Sequence, residues 1–354
     1  MTAARASPRL GRCHVFPPAG RDSTLPTLLE VASQKAGGEG AVRAGGKRVA
    51  DRFEVFLRSL EGARAARGVA LMGVCNVTPD SFSDGGLHFA PEAARARVDE
   101  LIAQGADFID IGGESTRPGA TPVSTEDQIV SVLDAVRYAS SRGACVSIDT
   151  ADPKVAAATL DAGASVVNDV SCLLDDTLAG AIAAARGAYV LMHARGTQGE
   201  MRGFSRYPDQ AYGDVVADVV REWEEAAARA RFLGVRREAL VMDPGLGFAK
   251  NARQSAELLA RTDEIVRVVG VPVAIGASRK SFLTMVERDA VPAERIGASI
   301  AAALHAARAG ASILRVHDVR ATRQAIDLDR ALSGRGRREP GSVGISVTPA
   351  DAVS

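Results

Sequence analysis

The feature that most constrains this chain is a repeating rhythm along residues 68–333. A short β-branched or apolar run ends in a polar residue, a glycine-containing loop follows, and an alanine-rich helical stretch leads back to the next run. The strand-like runs are VALMGVCNV (69–77), DFIDIG (107–112), ACVSID (144–149), SVVND (165–169), AYVLMH (188–193), ALVMD (239–243), PVAIG (272–276) and SILRVH (312–317). Helices are expected between them, among others over 91–105, 125–140, 218–234 and 293–310. Continuous apolar strands alternating with helices mean a parallel sheet covered on both faces. Eight units in a body of this length predict a (β/α)8 barrel, usually about 250 residues long. The same pattern also suits an open doubly wound sheet, but the count of eight favours the barrel.

The ends of the chain differ from the body. Residues 1–47 are rich in Gly, Pro, Ser and Arg without apolar periodicity and read as a flexible tail. Val49, Phe53, Phe56, Leu57 and Leu60 then fall at helical spacing and predict an amphipathic helix over 48–67. The expected organisation is an N-terminal extension (1–67), the barrel (68–333) and a flexible C-terminal tail (334–354). Residues 1–67 hold twelve Lys/Arg against six Asp/Glu, whereas the whole chain is neutral with 43 of each. That balance argues against a dedicated nucleic-acid binder. The apolar runs are far shorter than the roughly 20 residues of a membrane span. The four cysteines are scattered with no CxxC pair, which fits a reducing cytoplasm rather than a disulfide or zinc scaffold.

Polar residues stand where each run ends: Asn76, Asp110, Asp149, Asn168, His193, Asp243 and His317. In a barrel those ends share the face that carries catalysis. Any single one can be explained as a helix cap. Seven on one rim cannot, because a carboxylate at a buried strand end needs a partner or a task. Two phosphate motifs are absent. Gly276-Ala277-Ser278-Arg279-Lys280-Ser281 lacks the glycine directly before its lysine, and Gly245-Leu246-Gly247 has no third glycine in place.

The loops after these runs carry specific motifs. Asn76-Val77-Thr78-Pro79-Asp80-Ser81-Phe82-Ser83-Asp84-Gly85-Gly86 follows the first, and Glu114-Ser115-Thr116-Arg117-Pro118-Gly119 the second. Asn168-Asp169-Val170-Ser171, Asp243-Pro244-Gly245-Leu246-Gly247-Phe248, Ser278-Arg279-Lys280-Ser281 and Arg315-Val316-His317-Asp318 come later. Together, over about residues 69–332, they resemble the dihydropteroate synthase family of folate biosynthesis. The resemblance implies an alkyl/aryl-group transferase that joins 6-hydroxymethyl-7,8-dihydropterin diphosphate to p-aminobenzoate and releases diphosphate. It places the pterin at Asp110, Asp149, Asn168, Asp243 and Lys280, and makes Asp84, Asp149 and Lys280 the catalytic residues. It puts the diphosphate at Asn76, Arg315 and His317, with Mg²⁺ near Asn76. Asp84 and Asp80 would shield the developing cation. Thr116, Arg117, Pro118, Phe248 and Ser281 would receive p-aminobenzoate, Ser281 at a helix N-terminus.

Elementary chemistry agrees with that assignment. A pterin's 2-amino group and N3–H form a paired donor edge that suits one carboxylate, and arginine suits phosphate oxygens. On a strand, Arg315 and His317 are expected to share a face. Partners are expected to be small molecules only, and a homodimer is expected by analogy with the family. Three departures stand out: Cys172 and Ala249 where similar enzymes carry glycine, and the segment Ala194–Gly199 after His193. They keep open the reading of a catalytically silent pterin-binding paralogue, and a pterin-dependent methyltransferase is a further alternative because it shares such a barrel and pterin pocket. The methyltransferase reading is weakened by the ESTRPG loop and the Arg315/His317 pair, which it would not need.

Overall fold

The computed structural model describes residues 51–77, 90–114, 123–196 and 207–334. Eight parallel strands form the centre: β1 Ala70–Asn76, β2 Phe108–Gly112, β3 Cys145–Asp149, β4 Val166–Asp169, β5 Ala188–Met192, β6 Leu240–Asp243, β7 Ala274–Ile275 and β8 Ile313–Val316. They are ordered β6-β5-β4-β3-β2-β1-β8-β7. A parallel bridge between Met242 and Val273, with Met242 N–H donating to Pro272 O at 2.9 Å, joins β6 to β7 and closes the ring. The fold is the expected (β/α)8 barrel. Its strands are buried almost throughout, as strands covered on both faces must be.

Helices α1 Arg52–Arg67, α2 Ala90–Gln104, α3 Thr125–Ser141, α4 Pro153–Ala162, α5 Asp176–Ala185, α6 Val215–Phe232, α7 Ala252–Ala260, α8 Thr262–Val269, α9 Ile296–Arg308 and α10 Val319–Leu332 complete the described elements. Capping explains several boundaries. Asp214 accepts from Val216 and Ala217 N–H, so α6 starts before the expected position 218. Asp51 accepts from Phe53 N–H and starts α1 at Arg52, later than the expected 48. Two of the polar residues read as closing strands, His193 and His317, lie just past β5 and β8. Asp110 does not close β2. It lies two residues before the strand's end and is fully buried. The run at 272–276 yields only a two-residue strand.

Helix α1 packs at the end of the barrel where the strands begin. Phe53, Phe56, Leu57 and Leu60 are buried, and the Phe56 ring lies 5.8 Å from that of Phe108 at the start of β2. Arg52 donates to Leu160 O and Ala185 O in the last turns of α4 and α5, where free carbonyls favour a cation. Among the described residues no helix is long and apolar enough to cross a membrane.

Candidate active site

The opposite end of the barrel gathers charge. Asp110, reaching in from β2, accepts from Arg315 Nε at 2.6 Å and from Asn168 Nδ2 at 3.2 Å, both on Oδ2. The other arm of Arg315 donates to Asp149 Oδ2 at 2.7 Å. The register explains the convergence: Asp149 stands level with Gly112 on one side and Asn168 on the other. Asp110 Oδ1 and Asp149 Oδ1 are buried, with no hydrogen-bond donor among the described residues. Burial pushes the Asp149 carboxyl up to about 7, against the opposing pull of Arg315. Burial works against the Arg315 charge too, but Asp110 and Asp149 outweigh it and hold the guanidinium above its ordinary range.

On the far side of the ring, Asp243 closes β6, and its Oδ1 accepts from Gly245 N–H at 2.7 Å. Burial raises its pKa. Gly276 after β7 leaves the space between. A Cβ there would stand 3.8 Å from both Asp243 Oδ2 and Lys280 Nζ, and 3.7 Å from Arg315 Cβ. Lys280 Nζ donates to Leu246 O at 2.6 Å and lies 4.7 Å from the centre of the Phe248 ring. Burial pushes this lysine down to about 8, with Asp243 acting the other way. The helix expected to begin at Ser281 is instead a five-residue 3₁₀ segment, Ser281–Met285. Phe248 packs with Val170, Met192 and Cys172.

Asn76 and His317 line a separate open cavity of about 610 Å³ with Arg97, Glu100, Arg279 and Asp318. Ser278 Oγ accepts from the His317 amide at 3.2 Å and lies 3.1 Å from its Nδ1. Arg315 turns away from this cavity into the carboxylates, so Arg315 and His317 do not present one continuous phosphate fork. Asp80, Asp84, Thr116, Arg117 and Pro118 lie outside the described residues.

The segment 72–317 matches the family model described as "Pterin binding enzyme". The chain belongs to the pterin-binding enzyme family. Relatives of that family include the dihydropteroate synthase of Escherichia coli strain K12, 39% identical over 257 residues, which are 72% of this chain and 89% of that protein. A probable bifunctional folylpolyglutamate synthase/dihydropteroate synthase of Haloferax volcanii is 43% identical over 71% of this chain, which spans only 29% of that longer protein. Among solved structures, Xanthomonas albilineans dihydropteroate synthase with 4-aminobenzoic acid superposes with a TM-score of 0.69 at 40% identity, covering 75% of this chain and 93% of that one. The same enzyme in complex with 7,8-dihydropteroate gives 0.66 at 37% identity, covering 75% and 94%.

Two departures from the family pattern carry a backbone consequence. Cys172 has φ 63° and Ala249 φ 48°, both in the left-handed region that favours glycine. Sequence reasoning missed other members of the rim. Arg97 sits mid-helix on α2, where no strand-end signal exists. Arg279 lies inside a recognised motif, has φ 60°, and pairs with Asp318 at 2.5 Å. Lys250 follows the Gly247-Phe248-Ala249 run and is 1% exposed, although a lysine in a loop ordinarily reads as solvated.

Proposed function

We propose that this member of the family acts as a dihydropteroate synthase, with the rim residues in the roles that follow. The observation that carries this reading is the convergence of Asp110, Asp149, Asn168, Asp243, Lys280 and Arg315 at the mouth of one barrel. Such a mouth offers carboxylates to a pterin's donor edge and an ammonium to its carbonyl side. Asp243 takes the amino-pyrimidine edge, and Asp149, Asn168 and Asp110 take other ring edges. Arg315 is shared. Pterin donors satisfy the carboxylates it now holds, and its freed arm turns toward the diphosphate beside Asn76 and His317.

The reaction is a substitution at the exocyclic methylene. The carbon–oxygen bond to diphosphate breaks, the p-aminobenzoate amine supplies the electron pair for a new carbon–nitrogen bond, and one amine proton is lost. The aryl amine is already a neutral nucleophile, so the chain's task is positioning and electrostatics. Phe248 and Ser281, with Thr116, Arg117 and Pro118 of the second loop, receive p-aminobenzoate. Asp84 and Asp80 of the first loop shield the cation.

The donor set near Asn76 suits magnesium. Asn76 Oδ1 and Asp149 Oδ2 each come within 3.8 Å of the Cβ position of Gly112. An ion with one or two protein oxygens, completed by diphosphate and water, fits magnesium's preference. Bound there it would neutralise the leaving diphosphate. We further propose a cytoplasmic homodimer, with residues 1–67 an extension, 68–333 the catalytic barrel and 334–354 a tail.

The test is dihydropteroate formation by the purified protein from the pterin diphosphate, p-aminobenzoate and Mg²⁺, with Lys280→Ala and Asp149→Ala alongside. Product from the parent protein, lost in both variants, supports the reading. Tight pterin diphosphate binding with no product replaces it with the silent paralogue.

A further inference from the structure

Behind the β6 loop lies a charged group for which the proposed reaction has no use. Lys250 Nζ is 2.9 Å from Phe248 O, 3.2 Å from Gly245 O, 3.4 Å from His193 O and 2.9 Å from His193 Nδ1. Three carbonyls and a ring nitrogen thus surround one ammonium. Since Nδ1 accepts from Lys250, the imidazole proton sits on Nε2, which donates to Glu222 Oε2 at 3.0 Å. Glu222, on α6, is held in turn by Arg195 at 2.8 Å and 2.5 Å, and Arg195 stacks 3.8 Å over the Tyr212 ring. The Tyr212 hydroxyl donates to Ala249 O at 3.0 Å.

The loop is therefore clamped from two sides. Lys280 holds the Leu246 carbonyl from the pocket, while Lys250 and Tyr212 hold those of Gly245, Phe248 and Ala249 from behind. The fit to β5 is close enough that a Cβ on Gly245, at φ +67°, would stand 2.0 Å from His193 O. Burying an ammonium is costly, and burial accordingly pushes Lys250 down to about 7 and His193 to about 4. A merely space-filling residue here would be apolar.

We propose that Lys250 is a positioning residue: seated on His193, which Glu222 holds in turn, it fixes the Gly245–Ala249 loop so that Phe248 and the Leu246 carbonyl present one geometry to Lys280 and to the aryl substrate. The proposal rests on the dihydropteroate synthase reading for what the loop serves. Asp149, Asn168 and Asp243 are carried by the barrel strands, and of the three only Asp243 touches the clamped loop, through the Gly245 N–H. Loosening it should therefore fall on p-aminobenzoate more than on the pterin.

The test compares Lys250→Met with Glu222→Gln, a milder change at a partly exposed site. Steady-state kinetics with both substrates is read beside amide hydrogen exchange across 244–250. In Lys250→Met the KM for p-aminobenzoate should rise about tenfold while that for the pterin diphosphate changes less than about threefold. Exchange should quicken in 244–250 and not in the strands. Glu222→Gln should shift both readouts the same way by less, and it decides the matter if Lys250→Met does not fold. Equal rises in both KM values, or unchanged exchange in the loop, would overturn the proposal whatever happens to the melting temperature. An inactive parent protein would remove the functional reading, while faster loop exchange in the variants would still support the clamp and unchanged exchange would still overturn it.

Discussion

One strand shows how differently the two ends of this barrel are made. Phe108 and Asp110 are two residues apart on β2 and therefore point to the same side. Phe108 meets Phe56 of α1 and shares the apolar plug there. Asp110, roughly 7 Å further along at ordinary strand rise, is bonded to Arg315 and Asn168. Both are fully buried, with opposite energetic consequences. Burying the ring is favourable outright. Burying the carboxylate is tolerated only because a guanidinium and an amide meet it. Stability is thus gathered where the strands begin and chemistry where they end, which is also how barrels of this kind divide the labour.

The largest expected effect tests the first half of that division. Phe56→Ala should cost about 3–5 kcal/mol of stability, as truncation of a buried aromatic does, measured by urea denaturation. The kcat/KM of the molecules that remain folded should not change, and a fall in it would show that the two ends are coupled. Next in size, Lys280→Ala should lower kcat/KM by about 10²–10³-fold, the scale of losing one preorganised charged contact. Its melting temperature should hold or rise, since a buried ammonium leaves with the side chain. A variant that unfolded instead would place Lys280 among the structural residues.

This division was partly visible before any coordinates. The apolar runs fix the barrel because eight strands buried on both faces have few other arrangements, and Asp149 and Asp243 do close their strands, while Asn168 stands one residue short of the end of β4. The caps that open α3 and α4, Ser124 and Asp152, emerge only from the structure. The direction of Arg315 was not legible. Its strand position gives it a face, but its partners Asp110 and Asp149 come from β2 and β3, far away in sequence. Lys250 was hidden for a different reason. Its burial depends on three carbonyls and a histidine nitrogen supplied by two segments, one of them 57 residues away in sequence, and no local pattern reports such a pocket.

Acid–base behaviour should separate the ends again. Asp149 titrates near 7, being neutral below and a carboxylate above, and Lys280 titrates near 8, being charged below and neutral above. If both must be charged, kcat/KM falls as pH drops through about 7 and again as it rises through about 8. Asp149→Asn should abolish the acid limb while lowering the whole curve, whereas Phe56→Ala should keep both limbs. An acid limb that survives in Asp149→Asn would assign it to another group.

The smallest effects concern backbone strain, which occurs at both ends. Arg186, the C-cap of α5 near α1, has φ 54°, and Ala249 on the β6 loop has φ 48°. A non-glycine residue held there costs about 1–2 kcal/mol, part of which returns as lost unfolded-state freedom when an alanine is present. Ala249→Gly should therefore gain roughly 0.5–1 kcal/mol, or a few degrees in melting temperature. Arg186→Gly relieves similar strain but forfeits the 2.7 Å ion pair with Asp51, so its net gain should be smaller. Kinetics distinguishes the two. A more permissive residue inside the clamped loop should raise the KM for p-aminobenzoate slightly, and the change at Arg186 should leave every kinetic constant where it was. If Ala249→Gly gained stability with no kinetic change at all, the alanine would be a neutral replacement, and the clamp formed by Lys250 and Tyr212 would be holding the loop without help from the residue between them.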